Sequence, residues 1–238
     1  MKKILVVDFG SQYTQLIARR LRELSVYSEV CPWDEIPDLS DVEGFILSGG
    51  PESSNIEGNP SIHQHILDTK KPILGICYGM QVLAHQEKGK IINEGKREFG
   101  YAKIDIKQDS ILFKNFDKSS DVWMSHGDKV ESLPDGYTIT AVSNNSPIAA
   151  YENTEKKYFG LQFHPEVTHT ESGTTIIENF LESCDIKQNW SSDDILQQIN
   201  NLVTSEIKDG EVLLALSGGV DSTVLAAVLH KILGNKLT

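Results

Sequence analysis

The first third of the chain alternates short apolar runs with amphipathic segments. Residues 4–7 form a continuous apolar run that predicts a buried strand, and residues 12–24 have the spacing of an amphipathic helix. Strands that alternate with helices predict an open, mostly parallel α/β sheet with helices on both faces. The pattern recurs with predicted strands at 27–30, 44–47 and 73–76 and predicted helices at 61–69 and 79–87.

Between residues 101 and 163 the apolar segments become shorter and are broken by Gly, Pro, Asn and Asp. Such a stretch predicts β-hairpins and strands that return to the same sheet. A further helix is predicted at 174–182. The predicted strands of this stretch are 102–106, 122–124, 138–142, 148–151 and 158–163.

The polar stretch 185–193 contains a good N-cap for a following helix, which predicts a domain boundary. We place a first domain at 1–187, and at 188–238 a linker helix and the N-terminal part of a second α/β domain. That part consists of a predicted strand (211–216), a glycine loop and an apolar helix (224–233). One strand and one or two helices cannot bury a core, so we expect this second domain to be truncated.

Composition narrows the classes of function. The 238 residues carry 34 acidic and 22 basic side chains, a formal charge of −12, which argues against nucleic-acid and anionic-membrane partners. The three cysteines, Cys31, Cys77 and Cys184, follow no metal-ligand or disulfide spacing, which fits a reducing cytoplasm. No apolar run approaches a membrane span. His63 and His65 face different sides of a predicted helix, so we expect no metal site.

Cys77 lies at the predicted junction between a strand and a helix. Gly75 and Gly79 stand two residues to either side of it, which gives Gly-x-Cys-x-Gly, the thiol form of a nucleophile elbow. The tight turn strains the backbone of the nucleophile, and a side chain at either glycine would collide with the turn. The positive end of the following helix favours the thiolate form of Cys77. The alternative is a buried cysteine beside two ordinary turn glycines.

His164 is the strongest candidate for the base that a thiol nucleophile requires. It lies in the sequence Gln-Phe-His-Pro-Glu at the end of a predicted strand, where residues two apart project to the same side. Glu166 can therefore hold the His164 ring in the tautomer that accepts the thiol proton. His126 and His169 remain alternatives, although neither has an acid two residues on within its own strand.

The turn Gly49-Gly50-Pro51 follows a predicted strand and brings backbone close to its neighbours. The amides of Gly50 and of Tyr78, the residue after the candidate nucleophile, could together form an oxyanion hole. An ordinary turn is the alternative interpretation.

The glycine loop, residues 217–223, has the form of a phosphate cradle. Free amides at a helix N-terminus favour an anion, and two adjacent glycines let it come close. The lysine of a Walker loop is missing, and an ordinary Gly-Gly turn is the alternative. The candidate phosphate-binding residues are Ser217, Gly218, Gly219, Val220, Asp221, Ser222 and Thr223.

Seven segments together resemble the glutamine-hydrolysing GMP synthase family, and the resemblance covers essentially the whole chain. The elbow alone would indicate a class I glutamine amidotransferase domain. Its combination with the glycine loop separates this family from relatives that serve anthranilate, CTP or carbamoyl phosphate synthesis. The segments are Asp8-Phe-Gly-Ser-Gln-Tyr-Thr-Gln, Ser48-Gly-Gly-Pro-Glu-Ser, Gly75-Ile-Cys-Tyr-Gly-Met-Gln, Arg97-Glu-Phe-Gly-Tyr, Val122-Trp-Met-Ser-His-Gly-Asp, Gln162-Phe-His-Pro-Glu-Val-Thr-His and Leu216-Ser-Gly-Gly-Val-Asp-Ser.

The resemblance implies a flavodoxin-like amidotransferase domain with a Cys-His-Glu triad. By this resemblance Cys77 attacks the side-chain amide of glutamine, His164 protonates the departing ammonia and Glu166 orients His164. The oxyanion would lie against the amides of Gly50 and Tyr78. The glutamine-binding positions that the resemblance implies are Gln81, Ser125, His126, Gly127 and Asp128.

The resemblance also implies a synthetase domain that uses ATP and Mg²⁺ to activate xanthosine monophosphate (XMP), with the glycine loop on the ATP phosphates. Ammonia then displaces AMP and gives GMP, and the full-length enzyme is implied to be a homodimer. We expect the nucleotide-binding core of that domain to be missing after Thr238. We therefore expect this chain alone to hydrolyse glutamine slowly and to bind ATP negligibly.

Two other functions compete with this interpretation. A cysteine hydrolase of the same fold, such as a γ-glutamyl hydrolase or a peptidase, would use the same triad without transferring ammonia. A non-catalytic glutamine-sensing module would keep the fold alone. The glycine loop argues against the first, and the intact set of Cys77, His164 and Glu166 argues against the second.

Overall fold

The computed structural model describes residues 1–54, 56, 58–93 and 97–238. These residues divide into two compact units, Met1–Asn189 and Trp190–Thr238. The division falls two residues beyond the boundary that the sequence predicts. That the second unit is part of another α/β domain stays a prediction.

Eleven strands and four helices make up the described part of the first unit. The strands are β1 (Lys3–Asp8), β2 (Ser28–Pro32), β3 (Val42–Leu47), β4 (Ile73–Ile76), β5 (Lys90–Ile92), β6 (Glu98–Ile106), β7 (Ser119–His126), β8 (Lys129–Ser132), β9 (Thr138–Ser143), β10 (Ala150–Asn153) and β11 (Tyr158–Leu161). The helices are α1 (Thr14–Glu23), α2 (Gln64–Asp68), α3 (Tyr78–Gln86) and α4 (Gly173–Ser183).

Nine strands form one sheet in the order β2-β1-β3-β4-β11-β10-β9-β6-β7. Strands β2, β1, β3, β4 and β11 pair in parallel. From β11 to β7 the pairing is antiparallel. The chain therefore returns to the sheet through its second half, as the change in sequence texture after residue 100 predicts.

The core lies on both faces of this sheet, as the continuous apolar runs of the first strands require. Ile4 and Val6 of β1 pack in one buried cluster with apolar residues of α1 and α4. Leu5 and Val7, which point the other way, pack in a second cluster with residues of α3. The predicted α/β sheet with helices on both faces is confirmed.

Two short strands of the first unit are not predicted from the sequence. β5 and β8 pair with each other in a separate two-stranded sheet. They contain three and four residues, which is too short for a period-2 pattern to stand out.

The second unit consists of α5 (Ser192–Ile207), α6 (Val220–Leu233) and a short 3-10 helix at Gly234–Lys236. The strand predicted at 211–216 does not form. Its segment makes one isolated bridge, between Val212 and Leu237, and Leu213 is 83% exposed. A strand is held by hydrogen bonds to neighbouring strands, and the partner here is only the short segment 236–238.

No helix within the described ranges is long and apolar enough to cross a bilayer.

Candidate active site

Cys77 occupies the sharp turn between β4 and α3. Its φ and ψ are 51° and −105°, in a region that a residue other than glycine adopts only under strain. A Cβ on Gly79 would lie 2.4 Å from the carbonyl oxygen of Leu47, and one on Gly75 would lie 2.6 Å from the carbonyl oxygen of Gly79. Both flanking positions therefore exclude a side chain, as the elbow pattern predicts.

His164 reaches Cys77 because β11 is the parallel neighbour of β4. Ile76 and Leu161 are partners in this pairing, and the amide of Cys77 donates to the carbonyl of Leu161 at 2.7 Å. The two chain segments thus leave the same edge of the sheet side by side. Cys77 and His164 line one cavity of about 280 Å³.

Glu166 holds the His164 ring from the other side. Oε1 of Glu166 lies 2.7 Å from Nδ1 of His164, and both side chains are almost completely buried. The ring also packs edge-on against Tyr13, with centroids 5.1 Å apart. Oε2 of Glu166 has no hydrogen-bond partner among the described residues, so the imidazole is the group that hydrogen-bonds the buried carboxylate.

The surroundings of His164 decide its protonation. Burial works to lower its pKa, but the charge of Glu166 and hydrogen bonds to Cys77 and Glu166 outweigh burial and hold the pKa well above its usual value. The raised pKa makes His164 a strong acceptor for the proton of Cys77. A proton stored on this ring is available to a leaving group.

Cys77 stands between two cavities. Its Sγ donates to the carbonyl oxygen of Ser125 at 3.3 Å. One of the two cavities contains His164 and Tyr13. The other is a polar pocket of about 290 Å³. Cys77 lines both, so a substrate bound in the polar pocket lies next to the sulfur.

The other two cysteines lack such surroundings. Cys31 and Cys184 are buried and free. Burial raises the pKa of the Cys31 thiol to about 11 and that of Cys184 to about 12. Both are therefore thiols at neutral pH, and neither lines a cavity with His164.

The candidate oxyanion residues Gly50 and Tyr78 lie beside Cys77. Gly50 lines both cavities, and a Cβ there would lie 2.8 Å from the carbonyl oxygen of Phe9. The Tyr78 hydroxyl donates to the carbonyl of Pro60 at 2.6 Å, and burial raises its pKa to about 12. Both residues line the polar pocket together with Cys77.

All five predicted glutamine-binding residues line the polar pocket: Gln81, Ser125, His126, Gly127 and Asp128. Gln81 Nε2 donates to the backbone carbonyl of Asp128 at 2.7 Å. The carboxylate of Asp128 accepts from Asn93 Nδ2 at 2.6 Å and from the Ser53 hydroxyl. The pocket wall is thus a hydrogen-bonded unit built from four separate segments.

Several residues of this pocket escape the sequence analysis. Ser53, Asn93, Arg97 and Phe99 line it, and Gln162 accepts from Gln81 at 3.3 Å. None of them carries a spacing pattern of its own. They come from loops and strand ends that only the fold brings together, although Ser53, Arg97, Phe99 and Gln162 do lie within the segments that carry the resemblance.

The two alternative bases are engaged elsewhere. The ring nitrogens of His126 lie 3.0 Å from the carbonyl oxygen of Asp128 and 3.1 Å from Glu98 Oε2. His169 is exposed and packs on the rings of Trp123 and Tyr101. Neither lines the cavity that contains both Cys77 and His164.

The glycine loop of the second unit is open. Gly218 has a φ of +82°, and no atom lies within 4 Å of a Cβ built there. The hydroxyls of Ser217 and Ser222 are 3.0 Å apart, and Gly219 is the N-cap of α6. The first amides of this helix are therefore accessible to an anion.

The fold and the site define a class of protein. Residues 5–184 match the family model described as glutamine amidotransferase class-I, and the chain belongs to this family. The similarity extends to particular relatives. Over its whole length the chain is 47% identical to the "GMP synthase [glutamine-hydrolyzing]" of Vibrio vulnificus and 48% identical to that of Aliivibrio fischeri, covering 47% of each. The chain thus spans about half the length of the curated relatives it matches.

Solved structures agree with this assignment. A Thermoplasma acidophilum protein, described as one component of a candidate GMP synthase, superposes with a TM-score of 0.68 at 30% identity, over 83% of this chain and 98% of that one. PurLQS of Thermotoga maritima superposes with a TM-score of 0.62 at 21% identity, over 76% of this chain and 99% of that one. The second similarity concerns the fold alone.

Proposed function

We propose that this chain hydrolyses glutamine at Cys77 and supplies the ammonia with which a GMP synthase aminates XMP. The observation that carries the hydrolysis is the strained elbow that holds Cys77 beside the buried His164–Glu166 pair. The amination rests on the 47% identity to GMP synthases over the whole chain. A triad at an elbow within this family acts on an amide, and glutamine is the amide that the relatives' name specifies.

The reaction begins with transfer of the Cys77 proton to His164. The thiolate attacks the side-chain carbonyl carbon of glutamine, and a C–S bond forms while the carbonyl electrons move to oxygen. The C–N bond then breaks, and His164 returns the proton to the departing nitrogen, which leaves as ammonia. Water, deprotonated by His164, attacks the glutamyl thioester, and glutamate leaves as the proton returns to the sulfur.

Glu166 orients the base throughout. Because Nδ1 of His164 faces Glu166 Oε1 at 2.7 Å, the other nitrogen, Nε2, is the one that exchanges protons with Cys77 and the leaving group. The negative charge of Glu166 also stabilises the imidazolium that each proton transfer creates. The oxyanion is stabilised by the amides of Gly50 and Tyr78, whose backbones are held at the edge of the same pocket.

The polar pocket takes the amino-acid end of glutamine. Its residues include both charges that a zwitterion needs, with Asp128 for the α-ammonium and Arg97 for the α-carboxylate. Gln81 donates both hydrogens of its amide to neighbours, so its carbonyl oxygen is directed to the substrate's ammonium. A pocket of about 290 Å³ suits a free amino acid.

The glycine loop contributes to ATP binding in the amination half of the reaction. Its accessible glycines and the N-terminus of α6 fit a phosphate group. Asp221 is the one carboxylate of the loop, and the described residues contain no group of three acids, histidines or cysteines that could hold a metal ion. Asp221 is the candidate ligand that this loop offers to an Mg²⁺ ion bound by the ATP phosphates.

The cysteines and the net charge favour a cytoplasmic location for the protein. Three free cysteines fit the reducing cytoplasm, and the net charge of −12 disfavours a nucleic-acid or membrane partner. The partners that we propose for the full-length enzyme are those that the sequence resemblance implies: glutamine, XMP, ATP and a second copy of the protein.

The direct test is ammonia release from glutamine by the purified chain and by Cys77→Ala. We expect the substitution to reduce the rate by at least about 10³-fold, because it removes the nucleophile. Cys31→Ala, at another buried and free cysteine, is the matched control and should leave the rate unchanged. Equal rates for the chain and for Cys77→Ala would exclude Cys77 from the mechanism.

Two further measurements separate the competing functions. Hydrolysis of γ-glutamyl peptides without hydrolysis of free glutamine would favour a γ-glutamyl hydrolase. Failure of an electrophilic glutamine analogue to label Cys77 would favour a non-catalytic sensor. Labelling of Cys77, with Cys31 and Cys184 unmodified, is the result that supports the proposal.

A further inference from the structure

Glu98 and His126 form a buried polar pair that the triad chemistry does not use. They are direct partners in the antiparallel pairing of β6 and β7. Their side chains are 13% and 4% exposed, and Glu98 Oε2 lies 3.1 Å from His126 Nε2. Burying two ionisable side chains costs free energy, so their position at the ends of these strands calls for a structural or functional explanation.

The geometry of His126 requires a proton between the two side chains. Its Nδ1 lies 3.0 Å from the backbone carbonyl oxygen of Asp128, which can only accept, so Nδ1 carries a hydrogen. Its Nε2 then faces the carboxylate oxygen of Glu98. Without a proton between them, two acceptors would stand 3.1 Å apart in a buried site.

This pair is connected to the glutamine pocket and to the sulfur. The carbonyl of Asp128 that His126 holds is the same one that receives Gln81 Nε2 at 2.7 Å. The neighbour of His126 in β7 is Ser125, whose carbonyl oxygen lies 3.3 Å from Cys77 Sγ. The pair therefore fixes the segment Ser125–Asp128, which forms one wall of the pocket and touches the nucleophile.

Other polar and charged groups also face the pair. From the turn after β9, the Ser146 hydroxyl lies within 3.3 Å of His126 Nε2 and 3.2 Å of Glu98 Oε2, and Asn145 Nδ2 donates to Glu98 Oε1 at 3.3 Å. From beyond β11, the charge of His164 disfavours a second charge on His126. The remaining charged groups nearby are Asp128, whose carboxylate is held by Asn93 and Ser53, and Arg97 and Lys129, which line a cavity with the pair.

We propose that Glu98 is a positioning residue for glutamine binding: one proton shared with His126 fixes the wall formed by Ser125–Asp128, and glutamine binds more weakly once this proton is lost. The inference rests on the proposed function, since it concerns the same pocket. The Ser146 hydroxyl cannot replace the proton, because it has a single hydrogen to donate and two acceptors beside it.

The direction of the pH effect follows from the surroundings of His126. Burial lowers its pKa, and the charge and hydrogen bond of Glu98 raise it only in part. The shared proton is therefore held at acidic pH and lost as the pH rises through the lowered pKa of His126. The affinity for glutamine should fall over the pH range in which this proton is lost.

The test measures glutamine binding by calorimetry between pH 5 and 8, in the Cys77→Ala background so that no hydrolysis occurs. For the otherwise unchanged chain we expect the Kd to rise about tenfold as the shared proton is lost, the equivalent of one hydrogen bond to a charged group. Glu98→Gln should abolish this pH dependence, because its amide donates to a neutral His126 at every pH. Glu98→Ala should give, at every pH, a Kd about tenfold above that of the parent at acidic pH.

Glu131→Gln is the matched control, because Glu131 forms an exposed ion pair with Lys90 away from the pocket. It should keep the Kd and the pH dependence of the parent. A Glu98→Gln chain that keeps the parental pH dependence would overturn the inference. So would a Glu98→Ala chain that binds glutamine at pH 5 as tightly as the parent does.

A second readout does not depend on glutamine. NMR titration of the His126 ring should show its apparent pKa displaced downward in Glu98→Ala relative to the parent, and an unchanged titration would overturn the inference. A further outcome is a parent chain that binds no glutamine while its His126 titration still shifts as expected. That result would refute the proposed function and would leave the shared proton between Glu98 and His126 supported. Should Glu98→Ala fail to fold, Glu98→Gln alone carries the test.

Discussion

The nucleophile elbow of the first unit and the glycine loop of the second are two versions of one local design, an apolar segment followed by a glycine turn and a helix. In the first, β4 is paired with β3 on one side and β11 on the other, and the turn is strained and buried. In the second, the apolar segment makes one isolated bridge, and no residue of α6 is buried.

The difference shows which structural features the local sequence determines by itself and which ones require neighbouring strands. In both cases a helix begins directly after the turn, at Tyr78 and at Val220. The strand before it, and the strained conformation of the turn, occur only where adjacent strands hold the backbone. The positions at which a Cβ would collide are therefore found in the elbow and not in the loop.

The largest effect should come from adding a methyl group to each turn. In Gly79→Ala the new Cβ would lie 2.4 Å from the Leu47 carbonyl oxygen, whereas in Gly219→Ala it would meet Ser217 Oγ at 3.6 Å. Alanine favours a helix by ~1 kcal/mol over glycine, but we expect the collision in Gly79→Ala to dominate and to lower the free energy of unfolding by about 3 kcal/mol. Gly219→Ala meets no collision and should cost about 1 kcal/mol or less, because alanine is a poorer N-cap than glycine.

Urea unfolding followed by tryptophan fluorescence measures both variants. Equal midpoints for Gly79→Ala and Gly219→Ala would mean that the strand neighbours of the elbow do not constrain its turn.

A smaller effect should come from the pair that completes the elbow, for which the glycine loop has no counterpart. The pKa of His164 is raised by Glu166, so the pair stabilises the fold fully below about pH 6.5, the ordinary histidine value, and this contribution is lost as the pH rises through the raised pKa. Glu166→Gln should therefore cost about 2–3 kcal/mol near pH 6 and progressively less at alkaline pH.

Urea midpoints collected at a series of pH values measure this trend. Glu182→Gln, which removes an exposed ion pair with Lys114, should change the stability by less than about 0.5 kcal/mol at any pH. A Glu166→Gln effect that grows with pH would contradict the raised pKa of His164.

The smallest effect should appear in the second unit, where stability is local. The carboxylate of Asp194 accepts from the Ser191 amide at 2.7 Å and caps α5. Asp194→Ala should cost the helix ~1 kcal/mol, seen as about fivefold faster hydrogen exchange in its first turns. Asp193→Ala removes an acid from the same turn without breaking the cap, so it should have less than half that effect; equal effects would assign the stabilisation to charge alone.

The same comparison explains how far the sequence could predict the fold. The buried runs of β1, β3 and β4 were recognisable because parallel strands covered on both faces are apolar throughout. The predicted strand at 211–216 was wrong because its apolar residues indicate a strand whether or not a partner strand is present. β5 and β8 were missed because a strand of three or four residues carries too little pattern.

The residues of the candidate site also fall into those that the sequence could predict and those that it could not. Cys77, His164 and Glu166 could be proposed from spacing, because an elbow and a two-residue alternation are local features. Asn93 and Ser53 could not, since their contacts with Asp128 bridge distant segments. The pairing of Glu98 with His126 depends on the register of β6 and β7, which no local pattern reveals.

The position of β11 in the sheet affects when the active site forms during folding. This strand lies between β4 and β10 in the sheet, although it follows both in the chain. Pairing of segments so distant in sequence is slow, because a long loop must close first. Before β11 pairs with β4, His164 is not held beside Cys77. The appearance of Cys77 reactivity therefore reports the moment at which these two strands pair.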